Sequence, residues 1–219
     1  MSNNFKTLIF DFDGTLVDTA SDVITSINFA LDKIGLNIIS KVQVKKCIGP
    51  GKDEFLEAIL GKDFEKYEEE FIVLFREYYW NHCLDTTTLY SGIDDILRKC
   101  KNKNISVASN KPRCFIEKIL EGLSALDFFD VIIGAEDVLQ VKPHPEMVEK
   151  IIEQTGSLRK DILIVGDTDN DIIAGHKAGV STCGVSYGYG NKSLIEKHRP
   201  HFMIDKPLDL LNVLNNQYN

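Results

Sequence analysis

The chain is 219 residues long and 43% hydrophobic, enough to bury one substantial core and a second, smaller one. A formal net charge of −8 argues against a nucleic-acid polymer or an anionic membrane as partner, since both are held through basic patches. The five cysteines, Cys47, Cys83, Cys100, Cys114 and Cys183, include no CxxC pair and are odd in number, so neither a zinc site nor a disulfide framework is expected, and reduced thiols in a cytoplasmic protein are.

Residues 1–10 lack the basic start and long apolar stretch of a signal peptide, and no run in the chain is long enough to span a membrane. They hold a short buried-type strand instead, Thr7-Leu8-Ile9-Phe10, which stops at Asp11-Phe12-Asp13-Gly14-Thr15. Strand residues alternate faces, so Asp11 and Asp13 point one way while Phe12 points back to the core. Two acids then share one small site, and one of them is driven toward its acid form unless a cation intervenes. Next, Thr19 with Asp22 three residues on resembles a capping box, and Val23, Ile27, Ala30, Leu31 and Ile34 recur at helical spacing until Gly35. This predicts a helix over 19–34, followed by helices over 53–60 and 63–83. The aromatic stripe Phe71, Phe75, Tyr78 and Tyr79 reads as core of that helical block rather than as a ligand platform.

No convincing strand lies between Ser21 and Leu89, whereas the rest of the chain alternates strand and helix. Residues 19–89 therefore read as an all-helical cap inserted into an α/β core made of 1–18 and 90–219. Within the cap, Lys45, Lys46 and Lys52 flank the turn Gly49-Pro50-Gly51. They read either as a solvated basic face or as a patch for a second negative end of a small substrate. From Tyr90 onward, helices are predicted near 94–103, 112–123, 145–155 and 169–178, and strands at 105–109, 131–134, 162–166 and 181–185. Such repetition predicts a doubly wound parallel, Rossmann-like sheet with its ligands beyond the C-terminal strand ends.

Three further segments stand at such ends. Ser109-Asn110 follows the strand at 105–109 and offers a hydroxyl and an amide to phosphate oxygens, although Ser-Asn before Pro112 is also an ordinary helix start. Lys142, in Val141-Lys142-Pro143-His144-Pro145, has its neighbouring backbone restricted by two prolines; its plainer reading is a solvated lysine. Asp167 and Asp171 follow Ile162-Leu163-Ile164-Val165-Gly166, four apart, so that one face of a first helical turn could carry both. Acids there also cap helices, but several carboxylates converging from two strand ends call for a divalent cation, and hard oxygen ligands suit magnesium.

Taken in this order along the chain, the segments resemble the four motifs of the haloacid dehalogenase-like superfamily of phosphohydrolases: Asp11 to Thr15, Ser109-Asn110, Lys142, and Gly166-Asp167 with Asp171. The cap turn Cys47-Ile48-Gly49-Pro50-Gly51, Lys142-Pro143-His144-Pro145 and the tail Asp205-Lys206-Pro207-Leu208-Asp209-Leu210-Leu211 are similar to the phosphoglycolate phosphatase-type group. The resemblance implies a magnesium-dependent phosphatase acting on a small phosphate monoester through an aspartyl-phosphate, as a monomer or homodimer. It implies Asp11 as nucleophile, Asp13 as general acid and base, and Lys142 as the cation neutralising charge. Magnesium would be held by Asp11, the backbone carbonyl of Asp13, Asp167 and Asp171, the last through its outer contacts. Ser109 and the backbone after Asp11 at Gly14 and Thr15 would hold substrate, with Asn110 positioning it; Lys52, from the cap patch and not from the resemblance, is the further candidate substrate contact. A pyrophosphatase or 5′-nucleotidase of the same superfamily, a β-phosphoglucomutase-like phosphomutase and a dehalogenase share much of this pattern; Asp13 argues against the dehalogenase, which has no leaving alcohol to protonate. A regulator or binding partner with an idle site is the remaining class, and the complete set of catalytic groups counts against it.

Overall fold

The computed structural model describes residues 5–40, 43, 47–49 and 51–215. In chain order its first elements are β1 (Thr7–Phe10), β2 (Val17–Asp18), α1 (Ala20–Lys33), α2 (Lys52–Leu60), α3 (Phe64–His82) and β3 (Thr88–Leu89). There follow α4 (Ile93–Lys99), β4 (Asn104–Ala108), α5 (Arg113–Gly122), β5 (Val131–Ile133), α6 (Glu146–Thr155) and β6 (Ile162–Gly166). The last are α7 (Asp169–Lys177), β7 (Ser181–Val185), α8 (Lys192–Lys197), β8 (Phe202–Ile204) and α9 (Leu210–Leu214). The main sheet runs in the order β5-β4-β1-β6-β7-β8 with every neighbouring pair parallel. It is the doubly wound parallel arrangement expected from the sequence.

Strand alternation divides the core into two layers. Ile9 of β1 packs on one face with Met147, Val148 and Ile151 of α6 and Ala174 of α7. Leu8 and Phe10 turn to the other face, where Ile116, Ile119 and Leu120 of α5 and Ile96 and Leu97 of α4 meet them in a larger cluster. Fully buried parallel strands need apolar residues on both faces, which is why β1 and β6 are nearly continuous apolar runs.

The helical segment between β2 and β3 lines one cleft together with residues that follow β1 and β4. Val23, Ile27, Ala30 and Leu31 of α1 are buried at the predicted helical spacing. Phe29 of α1 stacks on Tyr78 of α3 at 4.1 Å, and Phe71, Phe75 and Tyr79 form a ladder of rings along α3. Tyr79 then reaches Phe115 of α5, 5.0 Å away, so the stripe spans the boundary between the helical segment and the sheet domain instead of ending inside the former.

Some features differ from the sequence reading. Thr19 makes no side-chain cap, and Asp22 does not reach back to it. Asp22 is buried and accepts hydrogen bonds from the backbone N–H and hydroxyl of both Thr86 and Thr87, at 2.5–3.1 Å. The spacing of a capping box is thus used to tie α1 to the chain that returns from α3. β2 pairs antiparallel with β3 to make a small ribbon at this junction, a pair too short to carry any periodicity. The strand β8 and the helices α8 and α9 were likewise not anticipated; each is six residues or shorter. Lys45 and Lys46 of the proposed basic patch lie outside the described residues. No described helix is long and apolar enough to cross a membrane.

Candidate active site

After β1 the chain crosses to β4 and β5 on one side, then returns to β6, β7 and β8 on the other, so the direction of winding reverses between β1 and β6. A crevice opens at such a point, beyond the carboxyl ends of the strands. Asp11 follows β1 and Asp167 follows β6, and the Asp11 N–H donates to the Val165 carbonyl at 2.9 Å, locking the two strand ends together.

The structure brings Asp11, Asp167 and Asp171 into one buried cluster, with a carboxylate oxygen of each within 4.8 Å of the others. Asp167 and Asp171 do not share a helical turn as the spacing suggested. Asp167 lies in the bend before α7, while Asp171 sits inside its first turn, where one oxygen accepts from the Thr168 N–H and hydroxyl at 3.0 and 2.8 Å. The other oxygen of Asp171 receives Lys142 Nζ at 2.6 Å, and the same ammonium donates to Asp11 at 2.7 Å. Burial pushes the Asp11 carboxyl up to about 6; the Asp171 charge adds to the rise and Lys142 opposes it. The like charge pressing on Asp11 is therefore Asp171, not Asp13. Burial also raises Asp167 well above the carboxylate range, reinforced by Asp11 and Asp171 and resisted by two backbone N–H groups. For Lys142, burial alone would lower the ammonium pKa, but Asp11 and Asp171 outweigh it and hold it above the ordinary lysine value. Three buried carboxylates facing one lysine fit a hard divalent cation, which would neutralise the remaining charge and relieve the pressure to protonate.

Asp13 lies on the same cleft as Asp11 but has different partners. Lys111 Nζ donates to both of its oxygens at 3.1 Å, and the Thr19 hydroxyl donates at 2.5 Å. Lys111 is itself almost buried and lies 4.7 Å from the centre of the Tyr79 ring. Lys142 is the cation that the resemblance names; Lys111, directly after Ser109-Asn110, is a second. Its position at the end of a strand was the available signal.

Ser109 is buried at the floor of the cleft, its hydroxyl accepting a long 3.4 Å bond from the Lys111 N–H. Asn110 exchanges hydrogen bonds with the Lys142 backbone in both directions, at 2.9 Å each, and donates to the Gly49 carbonyl of the cap turn at 2.8 Å. It fixes where Lys142 enters the site. Gly14 and Thr15 do not offer free donors to a substrate. The Gly14 N–H is bonded to the Val17 carbonyl and the Thr15 N–H to the Phe12 carbonyl, because the chain turns sharply here to form β2. Gly14 has φ +86°, and a Cβ there would stand 2.4 Å from Asp167 Oδ2, so only glycine fits. The Thr15 hydroxyl donates to Asp167 at 3.3 Å. Lys52, at the start of α2, lines the cleft with its side chain exposed.

The loop after β7 was not singled out in the sequence, yet it finishes the site. The Tyr189 and Gly190 N–H groups donate to Asp167 Oδ2 at 2.6 and 3.1 Å. A Cβ at Gly190 would collide with the Asp167 carbonyl, so this loop can lie against Asp167 only with glycine there. The Tyr189 hydroxyl in turn accepts from the Thr19 and Ala20 N–H groups and donates to Asp18, joining the carboxylate cluster to the junction of β2 and α1. Gly188-Tyr189-Gly190 after a predicted strand was the signal that could have found it.

Comparison with known proteins agrees with this geometry. A profile of the family described as haloacid dehalogenase-like hydrolase matches residues 8–185. A protein named phosphoglycolate phosphatase from Aquifex aeolicus (strain VF5) is 35% identical over 213 residues, covering 96% of this chain and 97% of that one. A protein named pyrophosphatase PpaX from Bacillus cereus (strain G9842) is 34% identical over 214 residues, with 96% and 97% covered. Among solved structures, one described as a predicted phosphoglycolate phosphatase from Haemophilus somnus 129PT superposes with a TM-score of 0.89 at 30% identity, covering 96% of this chain and 98% of that one. With the family profile spanning both strands that carry the carboxylates, and with relatives matched along nearly their whole length, the chain belongs to the haloacid dehalogenase-like hydrolases.

Proposed function

We propose that the protein is a magnesium-dependent phosphatase that hydrolyses a phosphate monoester through an aspartyl-phosphate at Asp11, with residues 19–89 acting as a cap over the core of 1–18 and 90–219. The observation that carries this reading is the separation of the two cleft carboxylates. Asp11 is held by Lys142 beside the acidic cluster, and Asp13 is held apart by Lys111 and Thr19. A nucleophile and a proton donor need this division, whereas a dehalogenase needs only the first.

In the first step an Asp11 oxygen attacks phosphorus, the bond from phosphorus to the leaving oxygen breaks, and Asp13 delivers a proton to that oxygen, releasing the alcohol. In the second, Asp13 takes a proton from water as the water oxygen attacks phosphorus and the Asp11 ester bond breaks, which restores both carboxyl groups and releases phosphate. Lys142 offsets the charge on Asp11 in both steps, and the Ser109 hydroxyl donates to a transferring oxygen. Asn110 acts by holding Lys142. Asp11, the Asp13 carbonyl and Asp167, supported by Asp171, would hold magnesium, which would supply the positive charge that lets a carboxylate approach an anionic phosphate.

Phosphate release from phosphoglycolate and pyrophosphate, with magnesium and with excess chelator, tests the reading together with Asp11→Asn. Turnover that requires the metal and disappears in Asp11→Asn is expected. Undiminished turnover in either condition would sink it.

A further inference from the structure

The cleft above Asp11 and Asp13 has a volume of about 560 Å³. A two-carbon acid or a second phosphate fills little of such a space, which lies within the range of pockets that hold a ligand with a sizeable organic body. Part of its wall is apolar: Ile48 from the cap turn, Phe55 from α2, Ile72, Phe75 and Tyr79 from α3 and Phe115 from α5. The rings are set at angles to one another, with Phe55 and Phe75 5.5 Å apart and tilted by 52°, and Tyr79 and Phe115 5.0 Å apart and tilted by 47°.

The cations of the cleft are placed in a way that matters as much. Lys111 is engaged with Asp13. Lys52 and Arg76 line the cleft but are exposed, and the Arg76 guanidinium stands 5.8 Å from the centre of the Phe115 ring. Among the described residues, the cations that line the cleft are therefore either exposed, where water screens them, or, like Lys111, committed to a carboxylate. A carboxylate carried onto the apolar part of this wall would lose its water with no buried, uncommitted cation beside it among the described residues, whereas a ring carried there would bury its faces.

Resting on the phosphatase reading, we infer that the preferred substrate is a phosphate monoester whose organic part is a largely apolar, ring-sized group seated against the side chains of Phe55, Ile72 and Phe75. Apolar area removed from water stabilises the complex in proportion to its size, and offset or tilted ring contacts add to it.

The test compares ethyl phosphate, phenethyl phosphate, phosphoglycolate and pyrophosphate with magnesium present. The first two release alcohols of similar acidity, so their difference reports on the wall and not on the leaving group. Phenethyl phosphate is expected to show a kcat/KM at least tenfold above that for ethyl phosphate, and above those for phosphoglycolate and pyrophosphate. Equal values for the two alkyl esters, or a higher value for either small anion, would overturn the inference and leave the phosphatase reading standing. No phosphate from any of the four would remove both. In Phe55→Ala the ratio of phenethyl to ethyl specificity should fall tenfold or more; Ile72→Ala, from the neighbouring helix, gives the same readout if Phe55→Ala does not fold. An unchanged ratio in the folded variant would show that this wall does not seat the substrate.

Discussion

Residue by residue, the site is a set of charges too deeply buried to stand alone. Lys142→Met removes the shared partner of Asp11 and Asp171. Leaving buried carboxylates uncompensated costs about 3–5 kcal/mol, which urea unfolding in chelator would measure. The same change should lower kcat at least a hundredfold, about 2.7 kcal/mol, by comparison with the loss of other preorganised donors. Asp11 makes a pH prediction with a definite sign. In the metal-free protein it keeps its proton up to about pH 6, against 3.8 for an ordinary aspartate. Between those values the folded state binds more protons than the unfolded chain, so stability falls as pH rises through the window. Melting temperatures in chelator should therefore decline from pH 4 to pH 6, and the increase on adding magnesium should grow over the same range as the ligands lose their protons. A flat profile would mean that Asp11 is not under this pressure. Asp13 is read by leaving group: Asp13→Asn should cost about 10²–10⁴ in kcat for an alkyl phosphate and clearly less for 4-nitrophenyl phosphate, whose leaving group needs no proton. The same factor for both would rule out the general-acid role.

Among the elements, the junction of β2, α1 and β3 has the most to do with very few residues. Asp22 gathers four donors from Thr86 and Thr87, while the Tyr189 hydroxyl holds the backbone at Thr19 and Ala20. Both chain crossings between the helical segment and the core are thereby fastened from α1. Asp22→Ala strips a buried carboxylate from these donors and should destabilise the protein by about 2–4 kcal/mol, with Asp22→Asn retaining part of the bonding and falling between. Chemical denaturation of the three proteins decides it, and an effect below about 0.5 kcal/mol, the size of an ordinary surface change, would show that the clamp is unimportant. The helical periodicity of α1 was legible because Val23, Ile27, Ala30 and Leu31 repeat with the turn of the helix. The clamp was not, because Thr86 and Thr87 are 64 and 65 residues from Asp22 and nothing local marks the pairing.

Across the whole molecule, the proposed chemistry depends on one cation balancing carboxylates delivered by distant parts of the chain. Chelation should abolish turnover and magnesium restore it, whereas calcium, larger and tolerant of irregular coordination, should restore it poorly; phosphate release measured with each ion checks this. The doubly wound parallel sheet, its buried apolar strands and the strand ends at which Asp11, Ser109 and Asp167 stand were determined by the sequence, because buried parallel strands and amphipathic helices write their periods into it. Which charges pair was decided only by tertiary structure. Lys111 lies just past β4 and Lys142 in the connection between β5 and α6, and Gly14 and Thr15 belong to the same motif as Asp11; that one lysine serves Asp13 and the other Asp11, and that Gly14 and Thr15 pack against Asp167, follows from the crossing of β1 and β6 and the return of the loop after β7. The aromatic stripe of α3 shows the same limit. Its burial was evident from spacing, but a residue's period says which face of a helix is covered, not whether a neighbouring helix or an open cleft covers it, and for Phe75 and Tyr79 the packing of α3 across α5 made it both.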